Sequence, residues 1–452
     1  MSNSLMERAV AAATDTKEAL LGRGVVGQTG ALFARLFPGQ RAVVVADENT
    51  YAAAGTAVVA SLKEAGVTID SEYIFPGTPT LYAGYSNVEQ LREYLRPIEG
   101  ASVCSIGAGT LSDLAKLASG ELGRSYLNVC TAASVDGFAS FGASISKDGF
   151  KSTHDCPAPA GLVADFDIIA AAPKRLTATG YGDLIEKIPA GADWILADAL
   201  EIEPIDQQAW DLVQGPLRAA LADPERIGAG DPAAIVGLTE GNIMSGLAMQ
   251  AVQSSRPASG AGHQFSHVWE MEGHGTDWDP PLSHGFKVGV GTVASCALWA
   301  EALQLDLANL DVDRVVAEAP SDAEVEARVR ALLDPRIVEE GVKHTVGKHL
   351  TGTELRDRLN LIKSRWPQIV DRAVPQLSSP EQIADQLARV GAPYHPEMIQ
   401  IDWDRFRLTH FKAQMIRPRY TILDLLVEVG MLDEVVSRLF SAEGYWGRHR
   451  HP

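Results

Sequence analysis

The sequence predicts an α/β domain followed by an all-helical domain, on three observations. Residues 1–165 alternate short apolar runs with helical patterns, as in "RAVVVAD" at 41–47 followed by "TYAAAGTAVVASLKEAG". Such alternation is typical of a parallel sheet covered by helices. Beyond residue 165, β-branched runs become rare and helical periodicity dominates. With 452 residues the chain is also long enough for two domains, which we place at 1–165 and 166–452.

The individual elements follow in order along the chain. Four apolar runs predict strands in the first domain: "RAVVVAD", "SEYIFP", "ASVCSI" and "SYLNVC". The first is apolar throughout, which indicates a strand buried on both faces of a parallel sheet. In the second domain, segments such as "DPAAIVGLTEGNIMSGLAMQAV" and "YTILDLLVEVGMLDEVVSRLF" predict helices.

Composition narrows the class of protein. The chain has 39 basic and 58 acidic side chains, a net charge of −19, which disfavours binding to nucleic acid. Its four cysteines form no CxxC pair, as expected in a reducing compartment. No run approaches the roughly 18 apolar residues of a membrane span, and the N-terminus does not resemble a signal peptide. We therefore expect a soluble, cytoplasmic protein.

A glycine turn separates one predicted strand from the next helix in "SIGAGTLSDLAK". Gly107, Gly109 and Thr110 lie in this turn, where glycines let a backbone approach a pyrophosphate and a helix start attracts negative charge. The turn could equally be only a tight connection. Asp47, at the end of "VVVAD", could bind an adenosine ribose or simply cap a helix.

A second polar loop follows the next predicted strand, in "TAASVDGFAS". It presents Thr131, Ser134, Asp136 and Ser140. Ligands of open α/β sheets bind beyond the carboxyl ends of the strands, so two polar loops at that edge indicate one binding crevice.

Four histidines are concentrated in "SGAGHQFSHVWEMEGHGTDWDPPLSHGF", at 263, 267, 274 and 284. His263 and His267 are four residues apart and share one face of a helix. Imidazoles favour zinc, nickel or iron, and three protein ligands leave a position open for substrate. His263 and His284 are the candidate ligands, whereas His274 is the best candidate for an ordinary surface histidine. Asp183, in "TATGYGDLIEK", could supply a carboxylate or only a helix cap.

Six motifs occur together and in order: "GAGTLSDLAK", "TAASVDGFAS", "LTATGYGDLIEK", "SRPASGAGHQFSH", "SHGFKVGVGT" and "RPRYTILDLL". Together they resemble the bacterial sn-glycerol-1-phosphate dehydrogenases, within the iron-containing alcohol dehydrogenase and dehydroquinate synthase superfamily. The resemblance extends from about residue 40 to 440. It implies a dehydroquinate synthase-like fold, with an NAD(P)-binding domain, a helical domain for metal and substrate, and the site between them.

The resemblance also implies residue roles. The metal ligands would be Asp183, His263 and His284, and Asp136, Asp183 and His267 would face the substrate. The cofactor would be NAD or NADP and the metal a divalent zinc, nickel or iron ion. The cofactor-binding residues would be Asp47, Gly107, Gly109, Thr110, Leu111, Ser112, Asp113, Thr131, Ala132, Ala133, Ser134 and Ser140. This chain departs from the family pattern in having Gly262 and Val135 before the matched His263 and Asp136.

The implied reaction is the reduction of dihydroxyacetone phosphate to sn-glycerol 1-phosphate by NAD(P)H in a homo-oligomer, presumed dimeric as is common in the family. His267 would either pass a proton to the alkoxide or hydrogen-bond a substrate hydroxyl. Lys187, Arg256 and Lys287 are candidates to bind the phosphate. The alternatives are a glycerol dehydrogenase for unphosphorylated polyols and a dehydroquinate-synthase-like lyase. The aspartate at 183 disfavours the lyase, because the synthases resemble one another in using glutamate there.

Overall fold

The computed structural model describes residues 3–147 and 150–451. Within them, six strands form a parallel sheet and two further strands form an antiparallel hairpin. The strands are β1 Glu18–Gly22, β2 Arg41–Asp47, β3 Ile69–Phe75, β4 Ala101–Ile106, β5 Tyr126–Cys130, β6 Ala143–Lys147, β7 Phe150–His154 and β8 Gly161–Asp165.

The sheet order is β1-β8-β5-β4-β2-β3. Strands β4, β5 and β8 are buried at every position, as is typical of mainly apolar strands in a parallel sheet. Strand order reverses between β2 and β4, because β3 lies on one side of β2 and the later strands lie on the other. A reversal of this kind opens a crevice at the carboxyl ends of the two strands.

Helices cover the sheet and extend beyond it. The first helix packs against the later helix Pro232–Val252, so the first residues described lie with the helical region. The helices before β8 are α1 Asn3–Ala12, α2 Thr29–Leu36, α3 Glu48–Thr50, α4 Thr56–Glu64, α5 Tyr85–Leu95 and α6 Gly109–Glu121.

Every described element after β8 is helical. The α-helices are α7 Phe166–Ala170, α8 Lys174–Ile185, α9 Lys187–Ala199, α10 Gln207–Ala220, α11 Pro224–Ala229, α12 Pro232–Val252, α13 Ala261–Met271, α14 His284–Ala302, α15 Val312–Glu318, α16 Asp322–Leu332, α17 Val338–Lys348, α18 Gly352–Gln376, α19 Pro380–Val390, α20 Trp403–Met415, α21 Ile422–Glu428, α22 Leu432–Leu439 and α23 Tyr445–Arg448. In the part of the chain described here, no helix is long and apolar enough to cross a membrane.

The core of the helical region is built around α14. This helix is buried continuously from residue 285 to residue 299 and packs against α8, α13 and α19. A helix that is apolar on all sides has to be buried in this way. Because α14 is fixed along its whole length, its first turn is a rigid place for functional side chains.

Glycines let α8 approach its neighbours closely. A Cβ atom on Gly180 would overlap the carbonyl oxygen of Ala133, in the loop after β5. A Cβ on Gly182 would overlap the carbonyl oxygen of Gly285, and one on Gly285 would overlap that of Thr179. We call these three glycines the glycine seam. They bring the strand-end loop, α8 and the start of α14 together.

The predicted fold class is confirmed, with a parallel α/β part and a helical part. The four predicted strands correspond to β2, β3, β4 and β5. Strands β1 and β8 and the β6-β7 hairpin were not predicted. The domain boundary at 165/166 stays a prediction. The last strand ends at Asp165, but α1 packs with the helical region.

Candidate metal and substrate site

One carboxylate and two imidazoles from three helices meet at the centre of the site. Asp183 lies on α8, His263 on α13, and His284 is the first residue of α14. One ligand atom from each residue lies within 4.8 Å of those of the other two. Ligand atoms around a tetrahedral zinc ion lie about 3.4 Å apart, given bonds of about 2.1 Å. The three side chains therefore need only small adjustments to hold a divalent ion, and one oxygen with two nitrogens suits zinc, nickel or iron.

The other two histidines of the segment 259–286, His267 and His274, differ in whether they line the site. His267 lies one turn after His263, with ring centroids 6.0 Å apart, and its ring is 5.9 Å from that of His284. It lines the same site, as the helical spacing predicted. His274 lies outside the site, because its Nε2 bonds to the carbonyl of Ile399 and its Nδ1 to Arg405.

Asp183 belongs to a group of buried charged residues that we call the acidic cluster: Asp136, Asp183, Glu186 and Lys187. The Lys187 Nζ atom is 3.0 Å from Oδ1 of Asp183 and 2.9 Å from Oδ2 of Asp136. The backbone N–H of Asp136 donates to Oδ2 of Asp183 over 3.0 Å. Three carboxylates thus face one ammonium group, which leaves an excess of negative charge that a divalent cation would neutralise.

Glu186 connects the acidic cluster to His263. Its Oε1 accepts the N–H of Gly260, and its Oε2 lies 2.8 Å from Nδ1 of His263, poorly aligned for a hydrogen bond. A Cβ atom on Gly262 would meet the Glu186 side chain. The glycine at 262, a departure from the family pattern, therefore makes room for Glu186. The carboxylate lies against Nδ1 while Nε2 of His263 faces Asp183 at 3.4 Å.

These charges shift the pKa values of the candidate ligands. Burial raises the pKa of Asp183, but Lys187 and the two histidines outweigh it and hold this pKa well below its ordinary value. Burial lowers the pKa of His263, but Glu186 and Asp183 raise it to about 9. In the metal-free protein His263 therefore carries a proton at neutral pH, which a metal would have to displace.

A second group of charges, which we call the basic cluster, consists of Lys151, Glu270 and Lys287. Oε1 of Glu270 lies 3.0 Å from Nζ of Lys151 and 3.9 Å from Nζ of Lys287. The same oxygen lies 2.9 Å from Nδ1 of His284, and Oε2 lies 3.3 Å from Nδ1 of His267. Lys151 comes from β7, so the hairpin reaches across to the helical region here.

Burial and neighbouring charges also shift the pKa values on this side. Burial raises the pKa of Glu270, but Lys151 and the two histidines bring it well below its ordinary value. Burial lowers the pKa of His267 to about 3 and that of Lys287 to about 8. His267 is thus a neutral imidazole over the whole physiological range.

The glycine turn and the loop after β5 lie at the carboxyl ends of neighbouring strands, as the sequence predicted. Gly107 and Gly109 follow β4, at the reversal of strand order next to β2. A Cβ on Gly109 would meet the side chain of Val135, so the glycine turn and the loop after β5 are in contact. Asp47 forms a capping box with Thr50, which is the helix-cap alternative left open from the sequence.

The other cofactor-binding candidates differ in accessibility. The side chains of Leu111 and Ser112 point into the core, which leaves only their backbone for a ligand. Asp113 accepts the N–H of Ser144 and pairs with Lys116. The remaining candidates lie in the two loops: Thr110 at the start of α6, and Thr131, Ala132, Ala133, Ser134 and Ser140 after β5.

Of the three basic residues considered for phosphate binding, two have other partners. Lys187 pairs with Asp136 and Asp183. Arg256 donates to the carbonyl oxygens of Asp193 and Tyr420. Lys287 has no hydrogen-bond acceptor for Nζ among residues 3–147 and 150–451, and its closest carboxylate oxygen is 3.9 Å away.

Sequence reasoning missed Glu186, Glu270 and Lys151. A signal existed for the two glutamates, because Glu186 and Glu270 lie three residues after Asp183 and His267 on helical segments. No local signal existed for Lys151, whose partner Glu270 is 119 residues away in the chain.

Comparison with known proteins identifies relatives of this chain. The family described as "Iron-containing alcohol dehydrogenase" matches residues 20–173. A glycerol-1-phosphate dehydrogenase [NAD(P)+] of Halalkalibacterium halodurans is 37% identical over 262 residues, which are 57% of this chain and 64% of that protein. The protein of the same name from Pyrococcus horikoshii is 33% identical over 61% of this chain and 77% of its own length. That of Bacillus licheniformis is 25% identical over 92% of this chain and 90% of its own length.

Solved structures show the same fold at low sequence identity. NADH-dependent butanol dehydrogenase A of Thermotoga maritima superposes with a TM-score of 0.57, at 16% identity, over 92% of this chain and 96% of its own. Glycerol dehydrogenase of Schizosaccharomyces pombe superposes with a TM-score of 0.51, at 18% identity, over 80% of this chain and 92% of its own. The relative from Pyrococcus horikoshii shows that the chain belongs to the glycerol-1-phosphate dehydrogenase family, and residues 20–173 match the iron-containing alcohol dehydrogenases.

Proposed function

We propose that this protein is a metal-dependent dehydrogenase that reduces dihydroxyacetone phosphate to sn-glycerol 1-phosphate with NAD(P)H. The observation that carries the proposal is the meeting of Asp183, His263 and His284 beside the loop after β5. The relatives named glycerol-1-phosphate dehydrogenase [NAD(P)+] support the choice of substrate and cofactor. The alignment covers only 64% of the first of these relatives, so the activity is inferred for this chain.

Asp183, His263 and His284 would hold the divalent metal. The fit rests on their donor set and on the excess negative charge of the acidic cluster. When bound, the metal supplies Lewis-acid polarisation of the substrate carbonyl. Glu186 and Glu270 lie at Nδ1 of His263 and His284, which leaves Nε2 of each ring for the metal. Carboxylates behind histidine ligands fix the tautomer and the ring orientation in this way.

NAD(P) would bind at the reversal of strand order, on the glycine turn and the loop after β5. The start of α6 has no side-chain cap, so its first N–H groups are available to a pyrophosphate. Asp136 lies on the same loop and bonds to Asp183 through its N–H. The loop thus joins the cofactor side to the metal side.

The reaction transfers one hydride to the carbonyl carbon and adds one proton to the oxygen. His267 faces the site, and its pKa of about 3 makes the imidazole neutral. We therefore prefer its second role, a hydrogen bond to a substrate hydroxyl, over transfer of its own proton. Asp136 would orient the substrate from the opposite side, held by Lys187 and Ser245.

The test is a steady-state assay of NADH and NADPH oxidation on protein of quantified metal content. We expect a higher kcat/KM for dihydroxyacetone phosphate than for dihydroxyacetone, and no turnover after chelation. A preference for dihydroxyacetone would instead indicate a glycerol dehydrogenase. No net oxidation of either cofactor with any ketone would refute a dehydrogenase.

Three further properties belong to the same proposal. We expect a homodimer, which light scattering would test, and a location in the cytoplasm, as for a metabolic enzyme without a described membrane helix. The net charge of −19 supports the absence of a nucleic-acid partner. Asp47, at the end of β2, caps α3 through Oδ1, and its negative charge would also disfavour the 2′-phosphate of NADP and so favour NAD.

A further inference from the structure

The basic cluster has more positive charge than its own residues neutralise. Lys151 and Lys287 lie 3.0 and 3.9 Å from the same oxygen of Glu270, so one carboxylate faces two ammonium groups. This local excess of positive charge contrasts with the net charge of −19 of the whole chain.

Lys287 is the clearest sign of a missing partner. Only 3% of its side chain is exposed, yet its closest ion-pair partner is 3.9 Å away and the described chain gives Nζ no hydrogen bond. A buried ammonium group is costly unless it is paired and hydrogen-bonded. Lys116, another fully buried lysine, shows the usual arrangement, since its Nζ donates to the carbonyl oxygens of Gly137 and Gly142 at 2.7 and 2.9 Å.

The position of the basic cluster identifies the ligand that would complete it. Glu270 contacts Nδ1 of His284 and of His267, so the cluster lies one side chain away from the candidate metal ligands. A ligand held by the metal at one end would therefore present its other end here. Two lysines suit a phosphate monoester, whose negative charge would offset the excess.

We propose that Lys287 and Lys151 bind the phosphate group of the substrate. This inference rests on the proposed function for the identity of the substrate, but the anion site itself does not. Lys151 is on β7 and Lys287 is on α14, so phosphate would bridge the hairpin and the helices. The cluster then selects a phosphorylated ketone over its unphosphorylated counterpart.

The first experiment measures binding of inorganic phosphate to the metal-loaded protein by calorimetry. We expect Lys287→Met to weaken binding by about 10- to 100-fold, the value of one or two charge-assisted hydrogen bonds. Lys151→Met should have a smaller effect in the same direction, and Lys287→Arg should retain most of the affinity. Lys63→Met, on the exposed end of α4, is the matched control and should bind as the unaltered protein does.

The second experiment measures kcat/KM for dihydroxyacetone phosphate and for dihydroxyacetone. We expect the ratio of the two values to fall by about 10- to 100-fold in Lys287→Met. A merely structural role of Lys287 would lower both values and leave the ratio unchanged. Metal content and the thermal midpoint of each variant establish that the folded, loaded protein is compared, and Lys151→Met serves if Lys287→Met does not fold.

The outcomes separate this inference from the proposed function. Phosphate binding that is unaffected by Lys287→Met and by Lys151→Met overturns the phosphate site, whichever ketone is reduced. Phosphate binding that depends on Lys287, in a protein that reduces only unphosphorylated ketones, supports the anion site and refutes the proposed reaction. Loss of phosphate binding together with a lower substrate ratio supports both.

Discussion

The acidic cluster adjoins His263 through Glu186, the basic cluster adjoins His284 through Glu270, and the two are built in opposite ways. In the acidic cluster two carboxylates, Asp136 and Asp183, contact Lys187 at 2.9 and 3.0 Å, and Glu186 adds a third negative charge. In the basic cluster two lysines share Glu270, and one of them lies 3.9 Å away. The acidic cluster therefore has too little positive charge to balance its carboxylates, and the basic cluster has too little negative charge to balance its lysines. A metal ion would complete one and an anionic ligand the other, so the site is polarised before either binds.

The largest effect is expected on the acidic side, from His263→Ala. The substitution removes a metal ligand and leaves Asp183 and His284, which are too few for tight binding. We expect metal content near zero and a fall in kcat/KM of at least about 1,000-fold, since Lewis-acid polarisation is worth several kcal/mol. Atomic absorption and steady-state kinetics measure the two quantities. Full activity of this variant in metal-free buffer would contradict the ligand assignment, whereas His274→Ala, outside the site, should retain its metal.

Next comes Lys187→Met, which tests whether the acidic cluster depends on its one cation. It leaves Asp136 and Asp183 buried without their ammonium partner. Removing one member of a buried ion pair costs about 3–5 kcal/mol. We expect that loss in the unfolding free energy of the metal-free protein, measured with denaturant, and a partial recovery on adding metal. Lys63→Met should change stability by no more than about 0.5 kcal/mol.

A pair of variants sharpens the contrast between the clusters. Glu186→Gln and Glu270→Gln each remove the charge behind one histidine ligand, and each should reduce metal affinity by about 10- to 100-fold in a chelator competition. Only Glu270→Gln should also tighten the binding of inorganic phosphate, because it removes the one carboxylate of the basic cluster. Equal effects of both variants on phosphate would mean that the two clusters do not differ as described.

The smallest effect expected for a single step is the change in metal affinity per pH unit, about tenfold. The pKa of His263 is raised to about 9 in the metal-free protein, so below pH 9 the ring must lose a proton before it can bind metal. Metal affinity should therefore rise by about tenfold per pH unit between pH 6 and 9 and level off above it. Competition with a chelator at a series of pH values measures this slope. An affinity independent of pH below 9 would show that His263 is already neutral.

The sequence was sufficient for the elements and side chains with a local signal. Strands β2, β4 and β5 are mainly apolar runs, and the spacing of His263 and His267 places both on one helix face. Strand β1 was missed because it is a short, half-buried edge strand. The β6-β7 hairpin was missed because its sequences, "ASISK" and "FKSTH", are largely polar.

The charged surroundings of the ligands could not be predicted, for a different reason. Lys151 meets Glu270 across 119 residues, and Gly260 meets Glu186 across 74. Such pairs depend on the tertiary packing of α8, α13 and the hairpin, and no periodicity in the sequence encodes them. The candidate metal ligands could therefore be predicted from the sequence, whereas the carboxylates next to them are identified only by the structure.

The glycine seam has a consequence for how the hydride could travel. Gly180 lets α8 touch the backbone at Ala133, three residues before Asp136, and Gly285 lets α14 touch α8. A methyl group at either position would push these backbones apart. It would move the loop after β5, where the cofactor would bind, away from the candidate metal ligands, where the substrate would bind. Hydride transfer falls off steeply when its two carbons are separated beyond near-contact. The distance of hydride transfer therefore depends on the absence of a side chain at Gly180 and Gly285.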